Sequence, residues 1–334
     1  MENEEFGLEQ FTDAIEMAVT GIPAPVRKNF FKAFGQLCTA AVDVPVTWLE
    51  GKASEIKATS EARIKIIQQE GKKISESIDV PAQYIQKASE KFASKIIREQ
   101  INLDDITYRT AKELSANQPK DNQESTKEAP PISDEWLNKF EQHARVKSSE
   151  EMKIIFSKIL SGEIKQPGSF SMRTVELISQ LDNQAAKIFQ NLCNITSGMY
   201  LGDYLFDARV VSLSGNAASN SLSEFGLNFS NLNVLQEYGL IISDYNSYIQ
   251  YAPIIANDNN QVAASLKLGN KFYGFLPKDR SKYDAELKVN GVGLTNAGRE
   301  LYKIIPQEQN LKYFDTFKTY FDKKGFDIIS ASQH

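Results

Sequence analysis

The sequence contains few of the residues that most often bind metals or act as nucleophiles. Its 334 residues include two cysteines, Cys38 and Cys193, and two histidines, His143 and His334. None of the four lies in a CxxC or HExxH spacing, which disfavours a zinc site and a disulfide framework. No GxSxG, GxxxxGK[ST] or GxGxxG motif follows a strand-like run, so hydrolase, P-loop and Rossmann sites have no support. We expect no metal, no cofactor, a half-exposed helical His143 and a reducing, cytoplasmic setting.

An excess of positive charge and long apolar runs are also missing. The chain has 38 Lys and Arg against 43 Asp and Glu, a net charge of −5, so any nucleic-acid site must be a local patch. Charged residues interrupt every stretch long enough to span a bilayer, and the acidic start ENEEFGLEQ is unlike a signal peptide.

The most apolar stretch begins at Phe30. Its large side chains recur at the spacing of one helical face, Phe30, Phe31, Phe34 and Leu37. Two interpretations stay open. The face packs on the protein's own core or on a second subunit, or it contacts a membrane surface, which would add membrane association to the cytoplasmic setting.

The pattern along the chain predicts a mainly α protein with a smaller α+β part. We expect N-terminal long helices in a hairpin or coiled coil, a central helical bundle and a C-terminal winged-helix-like domain. The predicted boundaries are a helical assembly arm at 1–114, a flexible linker at 115–133, a helical module at 134–198, a winged-helix-like domain at 199–306, and a C-terminal helix and tail at 307–334.

The arm is predicted from apolar residues at helical spacing within a charged, alanine-rich stretch, before and after Pro81. These residues are Ile64, Ile67, Ile74 and Ile78, then Ile85, Ala88, Phe92 and Ile96. We expect this region to associate with a second copy. In the module, the helix starts are predicted at the N-caps Ser133, Ser149 and Asp182, and one helix is expected to end at Gly162.

A turn follows Gly162 and is rich in residues that shape backbone. Pro167 and Gly168 favour a tight turn, and Ser169 or Ser171 suits the next N-cap. We expect an ion pair between Glu163 and Arg173 to close it. The alternative is an anion or partner contact at the helix start, formed by Glu163, Lys165, Gly168, Ser169 and Arg173.

Cations alternate with aromatic residues in the C-terminal part. The run comprises Lys267, Lys271, Lys278, Arg280, Lys282 and Lys288, with Phe272, Tyr273 and Phe275. It predicts either a solvated hairpin or a nucleic-acid contact through the first five cations. Against the second interpretation, the predicted groove-binding helix SNLNVLQEYG has no Lys or Arg.

Several of these motifs resemble one bacterial family. They are Trp136 after an acidic pair, the helix start SSEEM, the turn ILSGEIKQPGSFSMRT and the helix beginning LDNQAAKIF, all between Ser133 and Cys193. This stretch is similar to the DUF2806 family. LQEYGLI (Leu235–Ile241) and LTNAGRELYKI (Leu294–Ile304) are more loosely similar to the same family and to abortive-infection alpha proteins. The resemblance implies a bacterial cytosolic protein without known catalytic residues, and by analogy a part in phage defence.

Together these features predict a non-enzymatic interaction or regulatory protein that binds a protein partner or itself, as a sensor or effector in anti-phage defence. The alternatives are a nucleic-acid-binding protein acting through the C-terminal domain and a membrane-active effector acting through the Phe-rich helix. An enzyme is disfavoured, because adjacent carboxylates such as Asp104 and Asp105 point apart on a helix.

Overall fold

The structure, a computed structural model, describes residues 23–38, 82–116, 130–214, 219–281 and 287–331. The chain divides into two units, Met1–Ser179 and Gln180–His334. The described part of the first unit contains helices, and the second combines helices with an antiparallel sheet. The predicted class, mainly α with a smaller α+β part, is therefore confirmed.

Five helices make up the described part of the first unit. They are α1 (Ala24–Leu37), α2 (Ala82–Ala116), α3 (Asp134–Ala144), α4 (Glu150–Lys165) and α5 (Met172–Gln180). The Ser133 hydroxyl accepts the N–H of Trp136, and the Ser149 hydroxyl accepts the N–H of Met152. Both predicted N-caps are confirmed.

The core of this unit forms where the C-terminal half of α2 packs on α4, with α1 and α3 beside it. Its fully buried apolar side chains come from four separate helices, and include Phe30, Ile106, Leu137, Phe140, Phe156, Ile159 and Leu160. The predicted division into an arm at 1–114 and a module at 134–198 does not match the two units. Residues 82–116 share a core with α3 and α4, whereas the helix after Asp182 lies in the second unit.

Gly162 does not end its helix as predicted, because α4 continues to Lys165. A Cβ at Gly162 would lie 2.4 Å from the ring of Phe170, so the glycine makes room for that ring. Gly168 takes the left-handed backbone conformation instead, with φ of 90°.

The described part of the second unit contains eight strands. The helices are α6 (Asn183–Ile195), α7 (Phe229–Glu237), α8 (Asn296–Tyr302) and α9 (Leu311–Lys323). The strands are β1 (Ser197–Leu201), β2 (Tyr204–Val211), β3 (Ile241–Ile242), β4 (Tyr248–Gln250), β5 (Ser265–Leu268), β6 (Lys271–Pro277), β7 (Lys288–Leu294) and β8 (Phe326–Ser330). The sheet order is β3-β7-β2-β1-β5-β6-β8, with β4 also paired to β7, and all of these pairings are antiparallel.

The strand β8 follows α9 and is part of this sheet. Residues 307–334 are predicted as a helix and tail, but β8 pairs with β6 in the register Phe275↔Ile328. Helix α9 buries Phe317 and Phe321, whose rings lie 6.3 and 4.4 Å from that of Phe275. The aromatic residues of α9 thus form part of the core beneath β6.

The two motifs YGLI and LTNAG are in direct contact. Thr295 caps α8 by accepting the N–H of Gly298, and its hydroxyl donates to the carbonyl of Gly239 at 2.6 Å. The Thr295 N–H donates to the carbonyl of Leu240 at 3.0 Å. The strand β7 therefore leads through the Thr295 N-cap directly into α8.

Candidate functional site

The turn after α4 is closed from inside by Glu163. This carboxylate is buried and accepts the N–H of Gly168 at 2.7 Å and the N–H of Phe170 at 3.0 Å. The intervening N–H of Ser169 donates to the carbonyl of Gln166. The N–H groups of residues 168–170 therefore already have acceptors within the turn.

The cations of this turn lie outside it. The Arg173 guanidinium is exposed and lies 3.9 Å from the Glu176 carboxylate, rather than forming the expected clasp of the turn. Lys165 is half-buried, and burial lowers the pKa of its ammonium while Glu113 opposes this shift. Ser171, not Ser169, caps α5 by accepting the N–H of Thr174. The carboxylate inside the turn, rather than a cation outside it, therefore fixes its backbone.

Two cations of the basic run, Lys278 and Arg280, form ion pairs and hydrogen bonds within the second unit. Lys278 pairs with Asp322 and lies 3.8 Å from Asp327, and the pairing with Asp322 raises the pKa of Lys278. Arg280 donates to the Asp258 carboxylate at 2.9 Å and to two backbone carbonyls. These cations are engaged with the protein's own oxygens.

The other members of the run differ in exposure. Lys267 is half-buried and donates to the Gln307 side chain at 2.8 Å, and burial lowers its pKa. Lys271 is exposed at the start of β6, and Lys282 lies outside the described residues. Of the interleaved aromatic residues, Tyr273 and Phe275 are buried. The alternation in the sequence thus marks a strand with one buried face, as in a hairpin.

The Phe-rich face of α1 is buried. Phe30, Phe34 and Leu37 are at most 2% exposed, and the neighbouring Phe31 is half-buried. Asn29 fixes the helix by accepting the N–H of Ile132 at 3.0 Å and donating to the carbonyl of Ile164. This face therefore forms core in the first unit, and a membrane contact through it would require α1 to leave that core.

Charged residues join α2 to α4. The Asp105 carboxylate lies 2.7 Å from the Lys153 ammonium and 2.8 Å from Arg109, and Arg109 reaches Glu150 at 2.6 Å. Lys153 and Asp105 are largely buried. Asp105, one of the adjacent carboxylates weighed for catalysis, thus holds two helices together.

The N-terminal half of α2 carries an apolar surface that the sequence indicated only in part. Ile96, Leu103 and Thr110 are seven residues apart, which places them on one helical face, and Phe92 is one turn before Ile96. Leu103 and Thr110 are buried in the core, but Phe92 is 58% exposed and Ile96 is 37% exposed. Ile97 and Ile101 are also exposed, at 60% and 54%, but they lie on other sides of the helix. The stripe that packs in the core thus continues without a cover among the described residues.

A buried ion pair lies in the second unit. The Arg209 guanidinium donates to both oxygens of Asp207, at 2.6 and 3.2 Å, and to the carbonyls of Ser247 and Val289. Tyr251 is buried nearby, and desolvation followed by the charge of Asp207 raises its pKa. These hydrogen bonds join β2 to β7 and to the loop before β4, so the cluster stabilises the sheet.

The described residues contain neither a group of three or more His, Cys, Asp or Glu placed to hold a metal ion nor a helix long and apolar enough to cross a membrane. Cys193 is buried, which raises the pKa of its thiol.

The architecture is that of a two-unit α+β protein, and its helix α2 carries an exposed apolar face. The model of the family described as "Protein of unknown function (DUF2806)" matches residues 86–318, and the chain belongs to this family. No curated protein and no solved structure matches the chain.

Proposed function

We propose that this chain is a non-enzymatic interaction protein that associates with a second copy through α2 and regulates bacterial defence against phages. The observation behind the association is the apolar stripe of α2, which runs out of the core and leaves Phe92 and Ile96 exposed. Exposed apolar helix faces are surfaces that partner helices bury. The defence role rests on the resemblance to abortive-infection alpha proteins alone.

A winged-helix-like second unit is part of the same proposal. Its support is the order α6, β2, α7, then the pairing of β3 and β4 with β7, then α8. The contact of Thr295 with Gly239 and Leu240 ties the α7 end to α8. We expect such a module to bind a protein partner rather than the groove of DNA, because α7 has no Lys or Arg.

The test is the mass of the full chain in solution, measured by light scattering during size exclusion over a range of concentrations. We expect wild type above the 37.5 kDa of one chain. The variant Phe92→Glu with Ile96→Glu should be monomeric, because it would place charges in an apolar interface. Val146→Glu is the matched control, since Val146 is 54% exposed and lies outside α2. A wild type that is monomeric at every concentration would contradict the proposal.

A further inference from the structure

The exposed half of α2 is basic beside its apolar stripe. Lys87, Lys91, Lys95 and Arg98 are all exposed, and their spacing of four, four and three residues places them along one side of the helix. Lys95 is three residues from Phe92, so the cations border the stripe. A partner for this face needs apolar side chains and negative charge.

The first residues of the chain have this composition. Glu2, Glu4, Glu5, Glu9, Asp13 and Glu16 precede the first basic residue, Arg27. Apolar residues in the same stretch, Leu8, Phe11, Ile15 and Val19, recur at the spacing of one helical face. From Leu8 to Val19 and from Lys87 to Arg98 the separation is equal, about 17 Å in a helix.

We infer that the α2 face from Lys87 to Arg98 binds the acidic segment, residues 2–19, of a second copy of the chain. This inference rests on the proposed self-association and names its contact. Opposite charges would set the partner and its register, and burial of Phe92 and Ile96 would supply the affinity.

The choice of a second copy follows from the proposed self-association, which needs a contact between two chains. Mixing variants with reversed charges tests this choice, because a contact within one chain would not restore association between chains.

Charge reversal in the full chain tests the contact. One variant carries Lys91→Glu and Lys95→Glu, and a second carries Glu9→Lys and Asp13→Lys. We expect each alone to weaken self-association at least tenfold in low salt. Mixing the two variants should restore it, because each then offers the other a segment of opposite charge. Lys318→Glu with Lys323→Glu, on the exposed side of α9, is the charge-matched control and should associate like wild type.

The outcomes separate this inference from the function on which it rests. In one outcome the mixture stays monomeric, while wild type associates and the variant Phe92→Glu with Ile96→Glu does not. The acidic segment is then not what binds the α2 face, and the proposed self-association stands. If wild type does not associate, both fail. A third outcome concerns vesicles that contain anionic lipid. They would bind wild type and the Glu9→Lys, Asp13→Lys variant equally, but not the Lys91→Glu, Lys95→Glu variant. In that case a membrane covers this face and the inference is overturned.

Discussion

At the scale of single residues, Glu163 should be the most sensitive position of the turn after α4. Glu163→Gln would turn one carboxylate oxygen into an amide N–H₂ that faces a backbone donor, Gly168 or Phe170. We expect a loss of about 1–3 kcal/mol in the free energy of unfolding of the first unit. Urea unfolding followed by the fluorescence of Trp136 measures this, since its indole donates to the Phe170 carbonyl at 2.6 Å. Glu151→Gln, at an exposed site, should change little, and equal stability of both variants would contradict the role of Glu163.

His143 should make the first unit sensitive to pH. Burial, with Lys139 and Lys147, lowers its pKa below the ordinary 6.5, against the opposing charge of Glu176. As pH falls, the unfolded chain binds this proton at a higher pH than the folded chain does. The stability that neutral His143 contributes is therefore fully present above pH 6.5 and is lost as pH falls through the lower pKa of the folded chain. The urea midpoint should therefore drop between pH 7 and 5, and His143→Gln should reduce that drop. His334→Gln is the control with the same change. An undiminished drop in His143→Gln would contradict this assignment.

At this scale, helix N-caps could be predicted from the sequence, whereas the ion-pair partners of the cations could not. Ser133, Ser149 and Asp182 cap helices as predicted, because a cap depends on residues only three positions away. The partners of Lys278 and Arg280 are distant in the chain, so spacing alone suggested free cations.

At the scale of elements, the packing of α8 against the end of α7 depends on Gly298. A Cβ there would lie 2.1 Å from the Leu240 carbonyl oxygen, so Gly298→Ala must separate α8 from this turn. We expect a loss of about 1–3 kcal/mol in the stability of the second unit, as for other overpacked sites. Gly293→Ala is the control, because its Cβ would meet nothing within 4 Å. The midpoints of thermal unfolding of the two variants measure this difference. Equal midpoints would show that the turn at Leu240 moves to accommodate the Cβ without a loss of stability.

Element types could be predicted further than element partners. The apolar period revealed α2, α4 and α7, and the β-prone runs revealed the β5–β6 hairpin. The same apolar period does not indicate which helices pack against each other. We therefore predicted α2 to be part of a separate arm, although its C-terminal half packs on α4. The strand β8 was missed because five residues after a helix carry too short a pattern.

At the scale of the whole molecule, the division at Ser179 predicts how the chain can be cut. A chain beginning at Gln180 contains the complete second unit and should unfold in one cooperative transition. A chain beginning at Ser133 keeps α3, α4 and α5 but loses Phe30 of α1 and Ile106 of α2, which are buried in their shared core. Without that core, its residues 133–179 have too little apolar surface to bury.

Amide hydrogen exchange on the two truncated chains and the full chain measures this difference. Amides of residues 180–331 should be protected alike in all three. Amides of α4, such as those of Phe156 and Leu160, should be protected in the full chain and exchange at least a hundredfold faster in the chain beginning at Ser133. Retained protection of α4 there would mean that the segment 133–179 folds without α1 and α2, and the predicted boundary near residue 133 would then describe the folding of the chain better than the division at Ser179.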